Sequence, residues 1–167
     1  APMVAGSAAL MHAVNGHLGP QEMIARLKRS ATSFPSRPAS STTPQCTVPV
    51  AGGIQQLECY CTTETCGAGI VNAASAVAEA AKPVVSIELP SDISAGQDVT
   101  LDAAGSTAAC NRTIASYQWS VVSASGTPPT LSATNESSAT VQAPTSGEFT
   151  LRVTVTDDAG HSDSADV

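Results

Sequence analysis

The chain has 167 residues, of which 42% are apolar, and this content argues against disorder of the whole chain. Its formal net charge is −7, without the clustered Lys and Arg that neutralise phosphates, so nucleic acid is not an expected partner. No apolar stretch reaches the roughly 18 residues of a membrane span, so no membrane-spanning segment is expected.

The charge is unevenly distributed. Residues 1–82 carry five basic and four acidic groups, whereas residues 83–167 carry two basic and ten acidic groups. Aromatic residues are scarce, and a core of small and β-branched side chains favours sheets. These shifts predict two domains, 1–82 and 83–167, with a boundary near Pro83.

Residues 2–15 have helical composition, with Pro2 suited to the first turn and Asn15-Gly16 suited to the end. The stretch has no wide polar face. A helix that is apolar all round is expected to be buried on all sides.

A second helix is predicted to begin at Gly19-Pro20, with a narrow apolar stripe. The short basic run Arg26 to Arg29 is expected on its solvated face rather than at a partner. Further along, a short helix is predicted from about Asn72 to Ala81, with Asn72 as its N-cap.

Residues 33–66 form a long excursion in which prolines block regular structure. Four cysteines, Cys46, Cys59, Cys61 and Cys66, fall within it, a density typical of a disulfide-stapled loop in a secreted chain. Zinc is the alternative, but paired C-x2-C spacing is missing, so no metal site is predicted there. Four cysteines allow three pairings, of which we favour Cys46 with Cys59 and Cys61 with Cys66. Cys110 is left over.

From Pro83 the pattern alternates in short runs separated by turn-forming residues, as in an antiparallel sandwich of immunoglobulin-like type. The runs are VVSIEL, DVTLDA, SYQWSVV, TLSA, SATVQA and FTLRVTVT. Tyr117, Trp119 and Val121 alternate on one strand and are expected to share the face toward the core.

The opening APMVAGSAAL resembles the end of the subtilisin-like serine protease (subtilase) signature G-T-S-x-A-x-P-x-V-A-G-x-x-A-L. The matching nucleophile-helix motif comprises Ala1, Pro2, Val4, Ala5 and Gly6. Two later segments, GHLGPQEMIARLKRSA and CGAGIVNAASAV, resemble a surface helix and the closing segment of the same family, in the same order. The resemblance implies that residues 1–82 are an α/β fragment, the C-terminal helices of a subtilisin-like catalytic domain.

The same resemblance implies that no catalytic residue lies in this chain. The nucleophilic Ser is expected three residues before Ala1, and the Asp and His of the triad earlier still. His12, His17 and His161 are expected to be structural or solvent-exposed. The fragment by itself is therefore expected to be inactive.

The second half resembles the polycystic-kidney-disease-type (PKD) and related immunoglobulin-like modules of secreted bacterial proteases. LDAAGST at 101–107, IASYQW at 114–119 and the closing segment 149–167 carry the likeness. Asp157, Asp158 and Asp163 around a turn are a weak candidate for structural Ca2+, since calcium prefers oxygen ligands. No other cofactor is expected.

Together these features predict the C-terminal portion of a secreted, extracellular subtilisin-like serine endopeptidase, with the β domain as an accessory module. Its expected partners are a protein or peptide substrate, through the parent enzyme, and the missing N-terminal part of the catalytic domain. The alternative is a non-enzymatic secreted adhesion or binding module.

Overall fold

The computed structural model describes residues 2–36, 42–54, 56–91 and 94–167. The chain divides into two compact units, one comprising Ala1–Ala13 and Gly19–Ala80 and the other Val14–Leu18 and Ala81–Val167. The four helices of the described residues are α1 (Pro2–Val14), α2 (Pro20–Arg29), α3 (Thr63–Cys66) and α4 (Ala73–Ala80). None of them is long and apolar enough to cross a membrane.

The helices α1, α2 and α4 begin where their sequence signals predict. Pro20 occupies the first turn of α2, where its missing N–H has no helical partner to lose. The Asn72 side chain accepts a hydrogen bond from the Ser75 N–H at 3.1 Å, so Asn72 caps α4. An isolated antiparallel bridge between Thr32 and Ile70 lies within this helical unit.

The expectation that the first helix is buried on all sides is wrong for this chain. Met11 is fully buried, but Met3 is 74% exposed, Leu10 54% and Val4 47%. An apolar sequence pattern shows which faces of a helix are suited to burial, but it does not supply the surface that buries them. Nothing in the described part of the chain packs over these side chains. Helix α1 therefore presents an open apolar face.

The expectation that Arg26 faces water is also wrong. Arg26 is completely buried, its Nε donating to Glu22 one turn earlier and its Nη1 donating to the Glu79 carbonyl at 2.7 Å. That carbonyl lies in the last turn of α4, where the negative end of the helix dipole attracts a cation. Arg29, in contrast, is solvent-exposed and pairs with the Glu79 carboxylate at 2.7 Å.

The second unit contains two antiparallel three-stranded sheets, consistent with a PKD or immunoglobulin-like β-sandwich. Its strands are β1 (Asp98–Asp102), β2 (Ile114–Ala124), β3 (Thr130–Ser132), β4 (Ser138–Gln142), β5 (Phe149–Asp157) and β6 (Ser162–Asp166). One sheet has the order β1-β4-β3 and the other β2-β5-β6.

The core of this unit lies between the two sheets. It is built mainly from Val, Leu and Ala, with Trp119 as its one large aromatic side chain. The indole Nε1 donates to the Glu136 carbonyl at 3.1 Å, and the Trp119 backbone N–H donates to the Thr134 carbonyl at 2.7 Å. Residues 134–136 lie in the loop that connects β3 to β4. Trp119, in one sheet, is therefore hydrogen-bonded to a loop of the other sheet.

The strand prediction differs from the structure in three places. VVSIEL makes only isolated bridges, Val84 to Thr107 and Glu88 to Asp102. Strand β6 is not predicted, because its sequence SDSAD has no apolar alternation. It pairs with β5, and polar side-chain contacts such as the Arg152–Asp166 ion pair link the two strands. Val121 is 37% exposed rather than buried, although it pairs with the buried Leu151 of β5.

Candidate functional site

The nucleophile-helix motif lies at the start of α1. Pro2, Val4, Ala5 and Gly6 are all exposed, and Ala1 lies outside the described residues. A Cβ placed on Gly6 would meet nothing within 4 Å, so this chain supplies no close neighbour for that glycine. The motif is on a helix, as its sequence predicts, and its outer face is open.

The three histidines are predicted to be structural or solvent-exposed, and each has its own surroundings. His12 and His17 are exposed side chains on and just after α1. His161 lies in the turn between β5 and β6, where its Nδ1 is 3.2 Å from Asp157 Oδ2.

The four loop cysteines form the two disulfides favoured from the sequence, Cys46–Cys59 and Cys61–Cys66. The remaining cysteine, Cys110, is an exposed free thiol whose Sγ lies 3.3 Å from the Val14 carbonyl oxygen.

Backbone hydrogen bonds, and not only the disulfides, position the loop sulfurs. The Cys46 N–H donates to the Tyr60 carbonyl and the Tyr60 N–H donates to the Pro44 carbonyl, each at 3.0 Å. These bonds hold two extended segments side by side as a short parallel bridge. Cys59 and Cys61 flank Tyr60, and the single turn of α3 returns the chain so that Cys66 reaches Cys61.

The second unit contains a buried ionic cluster centred on Asp157, at the end of β5. The side chain of Asp157 is fully buried and accepts a hydrogen bond from Arg112 Nε at 2.7 Å. The backbone N–H groups of His161 and Ala159 donate to its other oxygen at 2.8 and 3.0 Å. Arg112 also donates to the Ala81 carbonyl through Nη2. The cluster therefore joins the β5 end and its turn to two other segments of the same unit.

These contacts decide the charge state of the carboxylate. Burial by itself raises the pKa of Asp157, because a low-dielectric site disfavours the charged form. The hydrogen bonds from the His161 and Ala159 backbone, from Arg112 and from the His161 side chain outweigh burial, and the pKa is lowered. Asp157 is thus an ionised residue with a structural role, and both of its carboxylate oxygens already accept hydrogen bonds within the protein.

The proposed calcium ligands do not converge. Asp157 is committed to Arg112 and its turn, and Asp158 accepts from the Thr113 hydroxyl at 3.0 Å. The Asp163 carboxylate accepts from the Ser164 N–H. Among the described residues, the one group of three potential metal ligands within reach of a single ion is formed by cysteines, not by these aspartates. The geometry gives the calcium prediction no support.

Sequence reasoning missed two arginines that the structure places at the centre of contacts. The basic run predicts Arg26 on the solvated face, although a Glu four residues earlier has the spacing that lets the two side chains pair. Arg112 carried no local signal, because its partner Asp157 lies 45 residues away. Only the closing V-T-V-T-D-D-A-G pattern marked Asp157 as a turn residue.

Comparisons with known proteins concern the second unit. Residues 90–167 match the family model described as K319L-like, PKD domain. A search of curated protein sequences finds no match.

Three similar solved structures are PKD domains, each with a TM-score of 0.38. One is the PKD domain from the KIAA 1837 protein, at 23% identity over 47% of this chain and 79% of that one. Another is the PKD1 domain from the Vibrio cholerae metalloprotease PrtV, at 26% identity over 52% of this chain and 91% of that one. The third is the PKD1 domain of Vibrio anguillarum Epp, at 23% identity over 52% of this chain and 88% of that one.

The family match coincides with the sheets β1 to β6 and with the turn that Asp157 organises. The family match supports a PKD-like domain in residues 90–167 of this chain.

Proposed function

We propose that this chain is the C-terminal portion of an extracellular subtilisin-like serine endopeptidase. The helical unit forms the end of the catalytic domain, and the PKD-like domain is an accessory module. PKD domains are accessory modules of secreted proteins, proteases among them, and the second unit is such a domain. The parent enzyme hydrolyses peptide bonds of a protein or peptide substrate with a triad that lies upstream of residue 1.

The observation that carries this proposal is the open apolar face of α1. Met3, Val4 and Leu10 together expose an apolar surface on a helix whose composition suits a protein interior. Contiguous exposed apolar surface marks a contact with another protein surface. In a subtilisin-like domain, the helix that begins beside the nucleophile is central, so the remainder of the catalytic domain is the partner that fits.

The first test is chemical and uses the full-length protein. We expect the reading frame upstream of Ala1 to encode G-T-S-M-A, preceded by Asp and His motifs. The full-length protein is expected to hydrolyse casein and to react with a fluorophosphonate at that Ser. Its Ser→Ala variant should do neither. A frame that begins at a signal peptide directly before Ala1 would exclude the protease and leave a non-enzymatic binding module.

The second test measures the cover of α1. Met3 is 74% exposed and Met11 is fully buried on the same helix, so the two form a matched pair for oxidation by peroxide. In the 167-residue chain Met3 should oxidise much faster than Met11. In the full-length protein both should be slow, and rapid Met3 oxidation there would contradict the proposed packing.

A further inference from the structure

The sulfur atoms of the two loop disulfides lie together in one cluster. Cys46 Sγ and Cys61 Sγ belong to different disulfides, yet they are only 3.8 Å apart. The Sγ atoms of Cys46, Cys61 and Cys66 all lie within 4.8 Å of one another. Cys59 Sγ is bonded to Cys46 Sγ, so it lies next to one of these three atoms.

These separations suit a tetrahedral metal centre. With Zn–S bonds of about 2.3 Å, neighbouring sulfurs of a tetrahedral site are about 3.8 Å apart. The Cys46–Cys61 distance already has this value. Opening a disulfide bond of about 2 Å requires its two sulfurs to separate by only about 2 Å to reach it. The sequence spacing argues against zinc, but the tertiary structure brings three of the four sulfurs within 4.8 Å of one another without paired C-x2-C motifs. The fourth, that of Cys59, is bonded to Cys46.

We propose that, when both disulfides are reduced, Cys46, Cys59, Cys61 and Cys66 bind one zinc ion as four thiolates. Two equivalents of a dithiol reductant supply four electrons and are themselves oxidised to disulfides. The four thiols formed then release four protons as Zn2+ binds. Two equivalents of a disulfide oxidant accept four electrons and are reduced to thiols as the two loop disulfides form again and the ion is released. The loop is therefore cross-linked in both redox states.

The surroundings of the cluster support both access and order. Cys46 is buried, Cys59 and Cys61 are half-buried, and Cys66 is exposed, which leaves an open side for the reductant and the ion. The backbone hydrogen bonds between Cys46 and Tyr60 do not depend on a disulfide and keep three of the four cysteines near one another after reduction.

The local charge also favours a cation. No Lys or Arg occurs between residues 38 and 81, whereas Glu58 and Glu64 lie next to or near the cysteines in sequence. Acidic side chains raise the local concentration of a divalent cation, and a segment without Lys or Arg adds no positive charge to repel it. This proposal concerns the loop alone and does not depend on the protease assignment.

The test titrates Co2+, a spectroscopic substitute for zinc, into the 167-residue chain reduced by a phosphine without oxygen. We expect one Co2+ per chain, with the intense visible bands of tetrahedral thiolate coordination, and displacement by one equivalent of Zn2+. The oxidised chain should give no such bands. Trp119 fluorescence, from the other unit, reports whether each variant remains folded there.

Matched variants identify the ligands. Cys110→Ser removes a thiol outside the cluster and should bind Co2+ as the unmodified chain does. Cys46→Ser and Cys61→Ser should each weaken binding at least tenfold and change the spectrum. The proposal is overturned if the reduced chain shows no tetrahedral Co2+ bands, or if Cys46→Ser and Cys61→Ser bind as tightly as Cys110→Ser.

Discussion

Asp157 is the residue of the PKD-like domain whose replacement has the most sharply defined consequence. The substitution Asp157→Asn keeps the size of the side chain and removes its charge. The residue is 2% exposed, and its carboxylate is the acceptor for Arg112 Nε at 2.7 Å and for two backbone N–H groups. Asparagine can accept through one oxygen only and leaves Arg112 beside a neutral group.

The expected cost follows from the burial of each partner. Removing one member of a buried ion pair costs about 3–5 kcal/mol, because the other charge stays desolvated. The Arg112 side chain is 20% exposed, so water relieves part of that cost. We therefore expect Asp157→Asn to lower the free energy of unfolding by about 3 kcal/mol, the lower end of that range.

A second Arg–Asp pair in the same sheet provides a matched control. Asp166 accepts from Arg152 through two hydrogen bonds at 2.6 and 2.8 Å, but the two side chains are 41% and 46% exposed. Asp166→Asn should cost much less than Asp157→Asn, because water screens an exposed ion pair.

The assay is urea denaturation followed by the fluorescence of Trp119, the single tryptophan, which lies 3% exposed in the core of the same domain. Equal losses for Asp157→Asn and Asp166→Asn would refute the argument that burial decides the cost.

The Asp157 cluster also predicts a pH dependence. The Asp157 carboxyl has a lowered pKa in the folded chain, whereas the pKa of an Asp in an unfolded chain is about 3.9. The unfolded state therefore binds the proton first as the pH falls, and the stabilisation is fully present above about pH 4. It is lost as the pH falls through the folded pKa. In urea titrations, the stability difference between the unmodified chain and Asp157→Asn should shrink below about pH 4; a constant difference would contradict this.

Two further pairs of substitutions compare a tightly packed position with an open one. Arg26→Ala removes a fully buried guanidinium and should lower stability by about 2–4 kcal/mol in thermal unfolding followed by circular dichroism, whereas the exposed Arg29→Ala should cost less than about 1 kcal/mol. Gly147→Ala places a Cβ in steric conflict with the Ser125 carbonyl oxygen, at a φ of +110°. It should destabilise the domain more than Gly126→Ala, where φ is +91° but the space is open and the backbone strain is about 1–2 kcal/mol. Similar urea midpoints for the two glycine variants would contradict the steric argument.

Local patterns in the sequence were sufficient for most secondary structure. Pro20 marks a helix start because its ring fixes φ and it lacks an N–H, and Asn72 marks another by accepting a hydrogen bond from Ser75 three residues later. Alternating apolar residues predict β1 and β5 because successive side chains of a strand face opposite sides. The pairing of Cys61 with Cys66 was favoured because it closes a short loop.

The tertiary structure decided everything that depends on residues distant in the chain. Arg112 meets Asp157 across 45 residues, and Arg26 reaches the Glu79 carbonyl across 53, so neither contact has a local pattern. Strand β6 forms because β5 offers it a free edge, although its own sequence is polar. The cluster of loop sulfurs likewise depends on the bridge between Gln45 and Tyr60, since spacing along the chain does not fix distance in space.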